Sequence, residues 1–118
     1  MNKGEQERLA RYEKRHIELA KQIADIGFIA PGSIVKRFMK CGTPTCRCRA
    51  DPPLLHGPYY QLTTKVNGKT VTRQLPAREA KLYKSWIVNG RKIDATIKKM
   101  RDVAAKAQDL ILRDSMNR

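Results

Sequence analysis

The sequence contains few acidic residues, few aromatic residues and only three cysteines, and it has no long apolar run. Eleven Asp and Glu oppose 25 Lys and Arg, so the net charge at pH 7 is +14. An excess of this size attracts polyanions, and nucleic acid is the usual partner of such a basic domain. Because no stretch reaches the roughly 18 consecutive apolar residues of a membrane-spanning helix, we expect no membrane insertion.

The N-terminal stretch MNKGEQERLARYEKRH lacks the apolar centre of a secretory signal peptide. We therefore expect a cytoplasmic protein, in which thiols stay reduced. All three cysteines lie within residues 41–48, and an odd number of thiols cannot pair completely within one chain. Clustered cysteines in this setting indicate a metal site more than a disulfide.

Two segments show the spacing of amphipathic helices, in which seam residues recur at intervals of three and four. In residues 5–26 the seam consists of Leu9, Tyr12, His16, Leu19, Ile23 and Ile26. Residues 77–114 repeat this spacing from Trp86 to Ile111. The pair Asn89-Gly90 is a helix-ending signal, but the spacing continues through it in phase and favours one long helix.

Two arrangements of the helices would bury both seams. The helices either pack antiparallel as a helical hairpin or form a coiled coil between two chains. The C-terminal seam is longer than the N-terminal one, and its surplus turns need a second chain to cover them. This difference predicts a homodimer formed through the helices.

Residues 31–76 follow a period of two, which is typical of β-strands. In YYQLTTKVNGKTVTRQL the pair Asn67-Gly68 is the preferred two-residue turn of a β-hairpin, and a turn there pairs Thr64 with Val71. The segment GSIVKRFMKC supplies a further strand. We therefore predict an α+β fold, with a small antiparallel sheet of two to three strands flanked by two long amphipathic helices.

The segment CGTPTCRCRADPPLLHGPYY contains all the cysteines and one histidine. Zinc in a structural site takes four Cys or His ligands, and this segment supplies that number. The last two cysteines are separated by one residue, so in an extended chain their side chains point the same way. A zinc ion there staples the end of one strand to the start of the hairpin and replaces core that a small domain lacks. The predicted ligands are Cys41, Cys46, Cys48 and His56.

Two other interpretations of the thiols stay open. They are a buried, reduced thiol cluster without metal and a redox pair formed by Cys46 and Cys48. A Cys-x-Cys disulfide closes a small, strained ring, which weighs against the redox pair. A catalytic zinc needs an open coordination position, whereas all four ligands are committed here. The pattern therefore favours a closed structural site.

Basic and polar side chains surround the cysteines. Residues 31–76 contain eight Lys and Arg but only Asp51 as an acid, a net +7 that is half of the excess of the chain. Arg47 and Arg49 alternate with the cysteines and are expected to point away from the metal. The hairpin adds a strand face of Thr, Gln and Lys that suits the DNA major groove, although a solvated sheet face explains it too. The predicted nucleic-acid contacts, which include a tyrosine able to stack on a base, are Lys36, Arg37, Lys40, Arg47, Arg49, Tyr59, Gln61, Thr63, Lys65, Lys69, Thr70, Thr72 and Arg73.

The segment GSIVKRFMKCGTPTCRCRADPPLLHGPYYQLTTKVNGKTVTRQLP resembles an uncharacterised family of short, basic prokaryotic proteins. The shared pattern is Gly-Ser with an apolar residue, Cys-Gly-x-Pro-x-Cys-x-Cys, His-Gly-Pro-Tyr and a Gly-Lys-Thr hairpin, then a long helix with an early Trp. The resemblance covers residues 32 to about 100. It implies that Cys41, Cys46, Cys48 and His56 are the family's metal ligands, and it links the chain loosely to mobile genetic elements.

The sequence lacks the motifs of the common enzyme classes. It has no paired carboxylates and no glycine-rich phosphate loop, and Gly68-Lys69-Thr70 is better explained as a hairpin turn. We therefore predict one non-enzymatic domain, residues 1–118, that binds nucleic acid, with double-stranded DNA favoured. Its role is expected in transcription regulation or in accessory work on a mobile element. The alternative is an adaptor or inhibitor that binds a protein partner through its coiled-coil helices.

Overall fold

The fold of this chain is α+β, as predicted. The computed structural model describes residues 1–116, and among these no helix is long and apolar enough to cross a membrane. The helix ends lie within two residues of the predicted ones. The elements are α1 (Lys3–Ala24), β1 (Ser33–Met39), β2 (His56–Val66), β3 (Lys69–Leu75) and α2 (Ala77–Met116).

The three strands form one antiparallel sheet in the order β1-β2-β3. The hairpin of β2 and β3 turns at Asn67-Gly68, where φ is 51° and 79°, the left-handed backbone of a two-residue type I′ turn. The predicted pairing of Thr64 with Val71 is confirmed. β1 pairs with the part of β2 that is remote from the turn, so the third predicted strand is present.

One compact unit comprises Ile29–Val88, that is, the sheet and the first turns of α2. The sheet contributes apolar side chains from one face, and α2 contributes side chains spaced by three and four residues, so a helix stripe covers a sheet face. The buried core consists of Leu62, Leu75, Ala80 and Ile87, with Ala30, Ile34, Tyr60 and Tyr83 partly buried against it.

The other compact unit comprises Met1–Phe28 and α2 from Asn89 onward, that is, α1 and the rest of α2. The amine of Met1 lies 2.6 Å from a carboxylate oxygen of Asp114. At the opposite end of α1, the side-chain amide of Asn89 donates a hydrogen bond to the carbonyl of Phe28 at 2.9 Å. The two helical segments therefore run antiparallel, which is the helical hairpin of the two predicted arrangements.

α2 continues through Asn89-Gly90 without interruption, as the spacing predicted. The first turns of α2 are partly covered within the chain, because Ala80 and Ile87 are buried against the sheet and Tyr83 packs partly there. Leu82, which belongs to the predicted seam, is 46 % exposed. The homodimer stays a prediction.

α1 begins earlier than its apolar spacing indicated. The side-chain oxygen of Asn2 accepts a hydrogen bond from the Glu5 N–H at 2.8 Å, and the Glu5 carboxylate accepts one from the Asn2 N–H at 3.3 Å. This reciprocal pair is a capping box, which satisfies backbone donors at the helix start. The signal Asn-x-x-Glu was present in the sequence and marks the N-terminus more accurately than the apolar seam.

Gly32 provides a test of the sheet unit. Its φ is +103°, and an added Cβ would lie 2.5 Å from the Thr63 carbonyl oxygen. We expect Gly32→Ala to lower the free energy of unfolding by about 1–3 kcal/mol, because a side chain strains this backbone conformation. Urea denaturation measures the loss. The control is Gly42→Ala, whose Cβ meets no described atom within 4 Å and should change stability by about 0.5 kcal/mol or less. Equal losses in both variants would contradict this account.

Candidate metal centre

The pairing of β1 with β2 brings the two ends of the cysteine segment together. Met39 lies opposite His56, and Cys41 follows Met39 by two residues. The register shifts just before this pair, between Arg37 and Met39. Gly57 occupies the shift with a φ of +139°, where an added Cβ would lie 2.8 Å from the Arg37 carbonyl oxygen, so the backbone needs glycine here.

The loop between β1 and β2 is folded by its own backbone hydrogen bonds. The N–H of Cys46 donates to the Thr43 carbonyl at 3.2 Å, and the N–H of Arg49 donates to the Cys46 carbonyl at 3.0 Å. The second bond closes a short 3-10 helix, Arg47–Arg49. The expectation that the Cys-x-Cys stretch is extended was therefore wrong. The turn satisfies backbone groups that an unpaired extended stretch would leave open, and it buries Cys48 completely.

The four predicted ligands converge. The candidate ligand atoms of Cys41, Cys46, Cys48 and His56 all lie within 4.8 Å of one another. The Sγ atoms of Cys41 and Cys48 are 3.6 Å apart, and Cys46 Sγ is 3.1 Å from His56 Nε2. The three cysteines are free thiols. This group, which we call the Cys–His cluster, can hold a metal ion.

Two of the thiols are acidic. The backbone N–H of Thr43, followed by the Cys46 thiol, lowers the pKa of Cys41 to about 6. The backbone N–H of Cys48 lowers the pKa of Cys46. The hydrogen bond to Cys46 raises the pKa of His56. The contact between Cys46 and His56 therefore favours the charged form of each group.

Cys48 differs from the other two thiols. The N–H of Cys41 donates to its Sγ at 3.2 Å and by itself favours the thiolate. Burial and the adjoining thiols of Cys46 and Cys41 outweigh that bond and raise the pKa of Cys48. Charging this buried sulfur requires a compensating positive charge, and a metal cation in the cluster would supply it.

The two arginines of the loop behave differently. Nε and Nη2 of Arg49 donate to the Cys41 carbonyl at 3.2 and 2.7 Å. Arg49 is exposed, and its guanidinium is held on the backbone of the loop by these two bonds. Arg47 is exposed.

The residues predicted to contact nucleic acid fall into three groups. Strand register places one group on the sheet face opposite the core, which we call the polar face: Arg37, Tyr59, Gln61, Thr63, Lys65, Thr70 and Thr72. A second group, Lys36, Lys69 and Arg73, shares the face that carries the core. The third group, Lys40, Arg47 and Arg49, lies in the loop. The structure thus does not bring the whole set to one surface.

Arg73 is a predicted contact residue that does not lie on the polar face. It lies opposite Leu62 on β2, which assigns it to the core face. Its Nη2 donates to the Tyr83 hydroxyl at 3.1 Å, and its guanidinium lies 5.8 Å from the centre of that ring. This is a cation–π contact with α2. The period-two alternation, counted from the turn, was the signal that could have placed Arg73. The register also places Val35 and Gln74 on the polar face, and the alternation counted from the turn predicted this for Gln74.

Fold and site together define a small α+β protein with a Cys₃His candidate metal centre. A family described as a domain of unknown function, DUF6788, matches residues 6–85. The chain belongs to this family. The match starts within α1, includes the entire Cys–His cluster and ends within α2, whereas the resemblance was expected over residues 32 to about 100. No curated protein and no solved structure is similar to the chain.

The cluster's acidities give a test on the metal-free protein. We expect iodoacetamide to modify Cys41 and Cys46 before Cys48, because the thiolate fraction and exposure control the rate. The rate at Cys41 should reach half of its maximum near pH 6 and fall as the pH drops below that value, since protonation removes the nucleophile. Mass spectrometry of the modified peptides follows each thiol. In urea the modification rates of the three cysteines should become similar. If Cys48 were still modified last in the unfolded protein, the folded structure would not be the cause of the order.

Proposed function

We propose that the Cys–His cluster holds a structural zinc ion. Three thiolates and one imidazole are a donor set of closed zinc sites. Tetrahedral zinc with metal–ligand distances near 2.0–2.3 Å separates its ligand atoms by about 3.6–3.8 Å. The contacts of 3.6 and 3.1 Å and the outer limit of 4.8 Å lie around that value, so small side-chain adjustments accommodate the ion. When bound, zinc supplies charge neutralisation and a cross-link.

We propose further that the polar face binds nucleic acid, with double-stranded DNA favoured. The observation that carries this proposal is the presence of seven of the predicted contact residues on one sheet face. These side chains are exposed or half-buried, and the core lies on the other face. Lysine and arginine contact phosphates, while Gln and Thr side chains hydrogen-bond base edges.

The hairpin has a shape that suits the DNA major groove. The pairing of β1 with β2 ends at Ser33 opposite Thr63, so Thr64–Val71 extends beyond β1 as a two-stranded ribbon. This ribbon projects by roughly 10 Å. A major groove about 12 Å wide admits such a ribbon, whereas the deep, narrow major groove of RNA does not. Lys65 and Thr70 lie on the polar face of the ribbon, where they would contact a phosphate and a base edge.

The biological role that fits this activity is regulatory or accessory. In this proposal the protein acts by occupying DNA or by recruiting other factors, and not by catalysis. The resemblance to proteins of mobile elements favours accessory work on such an element. This role is part of the proposal and depends on DNA binding.

A second candidate function is binding of a protein partner through the helical unit. Its exposed apolar side chains include Ile17, Ile111 and Leu112, with exposures of 55, 46 and 62 %. A cavity of about 390 Å³ lies between α1 and α2, with Tyr12 and Val103 in its lining. An adaptor or inhibitor would use this apolar surface. Absence of duplex binding at low salt would leave it as the better candidate.

The zinc proposal is tested with the two histidines as a matched pair. Purified protein should contain about one zinc ion per chain by elemental analysis, and a chelator should lower its Tm, because metal binding is coupled to folding. His56→Ala should abolish stoichiometric zinc and the chelator effect. His16→Ala removes an exposed histidine from α1 and should retain both. The proposal would be overturned if the purified protein contained no metal and neither a chelator nor added zinc changed its Tm.

The DNA proposal is tested by salt dependence. Fluorescence anisotropy with a random duplex should show affinity falling steeply with salt, and Arg37→Gln combined with Lys65→Gln should reduce the slope of log K against log salt by about 2, because two phosphate contacts are lost. Arg91→Gln with Lys92→Gln removes equal charge from an exposed part of α2 and should leave the slope nearly unchanged. Equal effects of the two pairs would mean that net charge, and not the polar face, binds DNA.

A further inference from the structure

A cavity in the sheet unit combines three lysines with an apolar floor. It has a volume of about 460 Å³ and lies between the core face of the sheet and the first turns of α2. Neither the Cys–His cluster nor the polar face contributes to it. The lining residues are Ile34, Lys36, Tyr60, Ala77, Ala80, Lys81 and Lys84.

The floor of this cavity is part of the packed fold. Ala80 is 3 % exposed and belongs to the core, and Ile34 and Tyr60 are partly buried against that core. Lys36 lies opposite Tyr60 in the strand register, so both side chains stand on the same face of the sheet. Because Ala77 and Ala80 are small, the start of α2 leaves space above the sheet. The concavity is therefore formed by rigid elements and not by a loop.

The charge around the cavity is of one sign. Lys81 and Lys84 are neighbours at i and i+3 on α2, and Lys36 faces them from β1. No acidic residue lines the cavity. Within residues 1–116 none of the three lysines takes part in an ion pair. The Nζ of Lys36 lies 5.7 Å from the centre of the Phe38 ring, a contact that leaves its positive charge without an acidic partner. Like charges that line one cavity repel each other, and a bound anion would turn that repulsion into attraction.

We propose that this cavity binds a phosphate monoester. A monoester is close to a dianion at neutral pH and has three terminal oxygens, which match three ammonium donors and the Tyr60 hydroxyl. A carboxylate has one charge and two oxygens and would use this donor set less completely. The apolar floor contacts the organic group of the ester. The volume lies within the range of small-molecule sites, about 300–1,000 Å³.

Two sources share this chemistry: a free nucleotide-like monoester and the 5′-phosphate at the end of a nucleic-acid strand. The internal phosphates of a strand are diesters with a single charge and are expected to bind less well. The proposal is independent of the polar face, which lies on the other side of the sheet. The experiments can therefore show that one of the two proposals fails while the other holds.

The test compares thymidine 5′-monophosphate, the dinucleotide TpT and thymidine, which carry a monoester, a diester and no phosphate. Isothermal titration calorimetry at low salt and pH 7.5 measures binding to the full chain. We expect the monophosphate to bind at least about tenfold more tightly than thymidine and more tightly than TpT, because charged hydrogen bonds depend on the dianion. Comparing the monophosphate with a tetranucleotide bearing a 5′-phosphate decides between the two sources.

A matched pair of variants locates the site. Lys81→Gln with Lys84→Gln should weaken binding of the monophosphate by about tenfold or more. Lys98→Gln with Lys99→Gln removes the same charge from exposed positions of the same helix and should change it by less than about twofold. All four positions are exposed, and circular dichroism verifies that both variants fold. Thymidine or TpT binding as tightly as the monophosphate, or equal losses in the two variants, would overturn the proposal.

Discussion

The convergence of Cys41 and His56 at one end of the sheet is the constraint on which the sheet unit depends. Residues 40–55 join β1 to β2, and Cys48 is their one buried residue. A segment this long buries too little apolar surface to offset the entropy lost when it is ordered. Its order therefore depends on the Cys–His cluster and on the turn that closes around it. Gly57 and the register shift contribute to this convergence, because they set His56 opposite Met39.

Local patterns made much of the fold and the site predictable. The Asn67-Gly68 turn determines the hairpin register, because only a few turn types connect two strands across two residues. Four residues of metal-ligand type in one short segment identified the Cys–His cluster without knowledge of its geometry. The Cys-x-Cys stretch could not be predicted in the same way. Its conformation depends on which backbone carbonyls the loop satisfies, and side-chain spacing does not encode that.

Tertiary partners explain the other differences between prediction and structure. The seam of α2 does not specify what covers the first turns of the helix, and here Ala80 and Ile87, which lie outside the predicted seam, pack on the sheet. Arg49 and Arg73 were predicted to contact nucleic acid because of their charge. The structure shows that each also has a partner within the chain, a backbone carbonyl for Arg49 and the Tyr83 ring for Arg73, which the sequence did not reveal. The capping box at Asn2, by contrast, was a local signal and could have been used.

The distribution of charge over the two sheet faces changes what the basic excess means. The net +7 of residues 31–76 does not form one continuous basic surface. Alternation along the strands places Lys36 and Arg73 on the core face, and Arg37 and Lys65 on the polar face. A rigid duplex cannot contact both faces of one sheet at once. Any phosphate-binding role of the core face therefore concerns a smaller ligand or a strand end.

Part of the charge near the cysteines also has a local explanation. Three thiolates around a zinc ion leave a net negative charge, and a guanidinium held nearby stabilises it. Arg49, fixed on the Cys41 carbonyl, is placed to do this whether or not nucleic acid binds. Arg37 and Lys65 have no such local role, since neither forms an ion pair within residues 1–116. The case for a polyanionic partner therefore depends on these two residues more than on the arginines of the cysteine motif, although the latter are more conspicuous in the sequence.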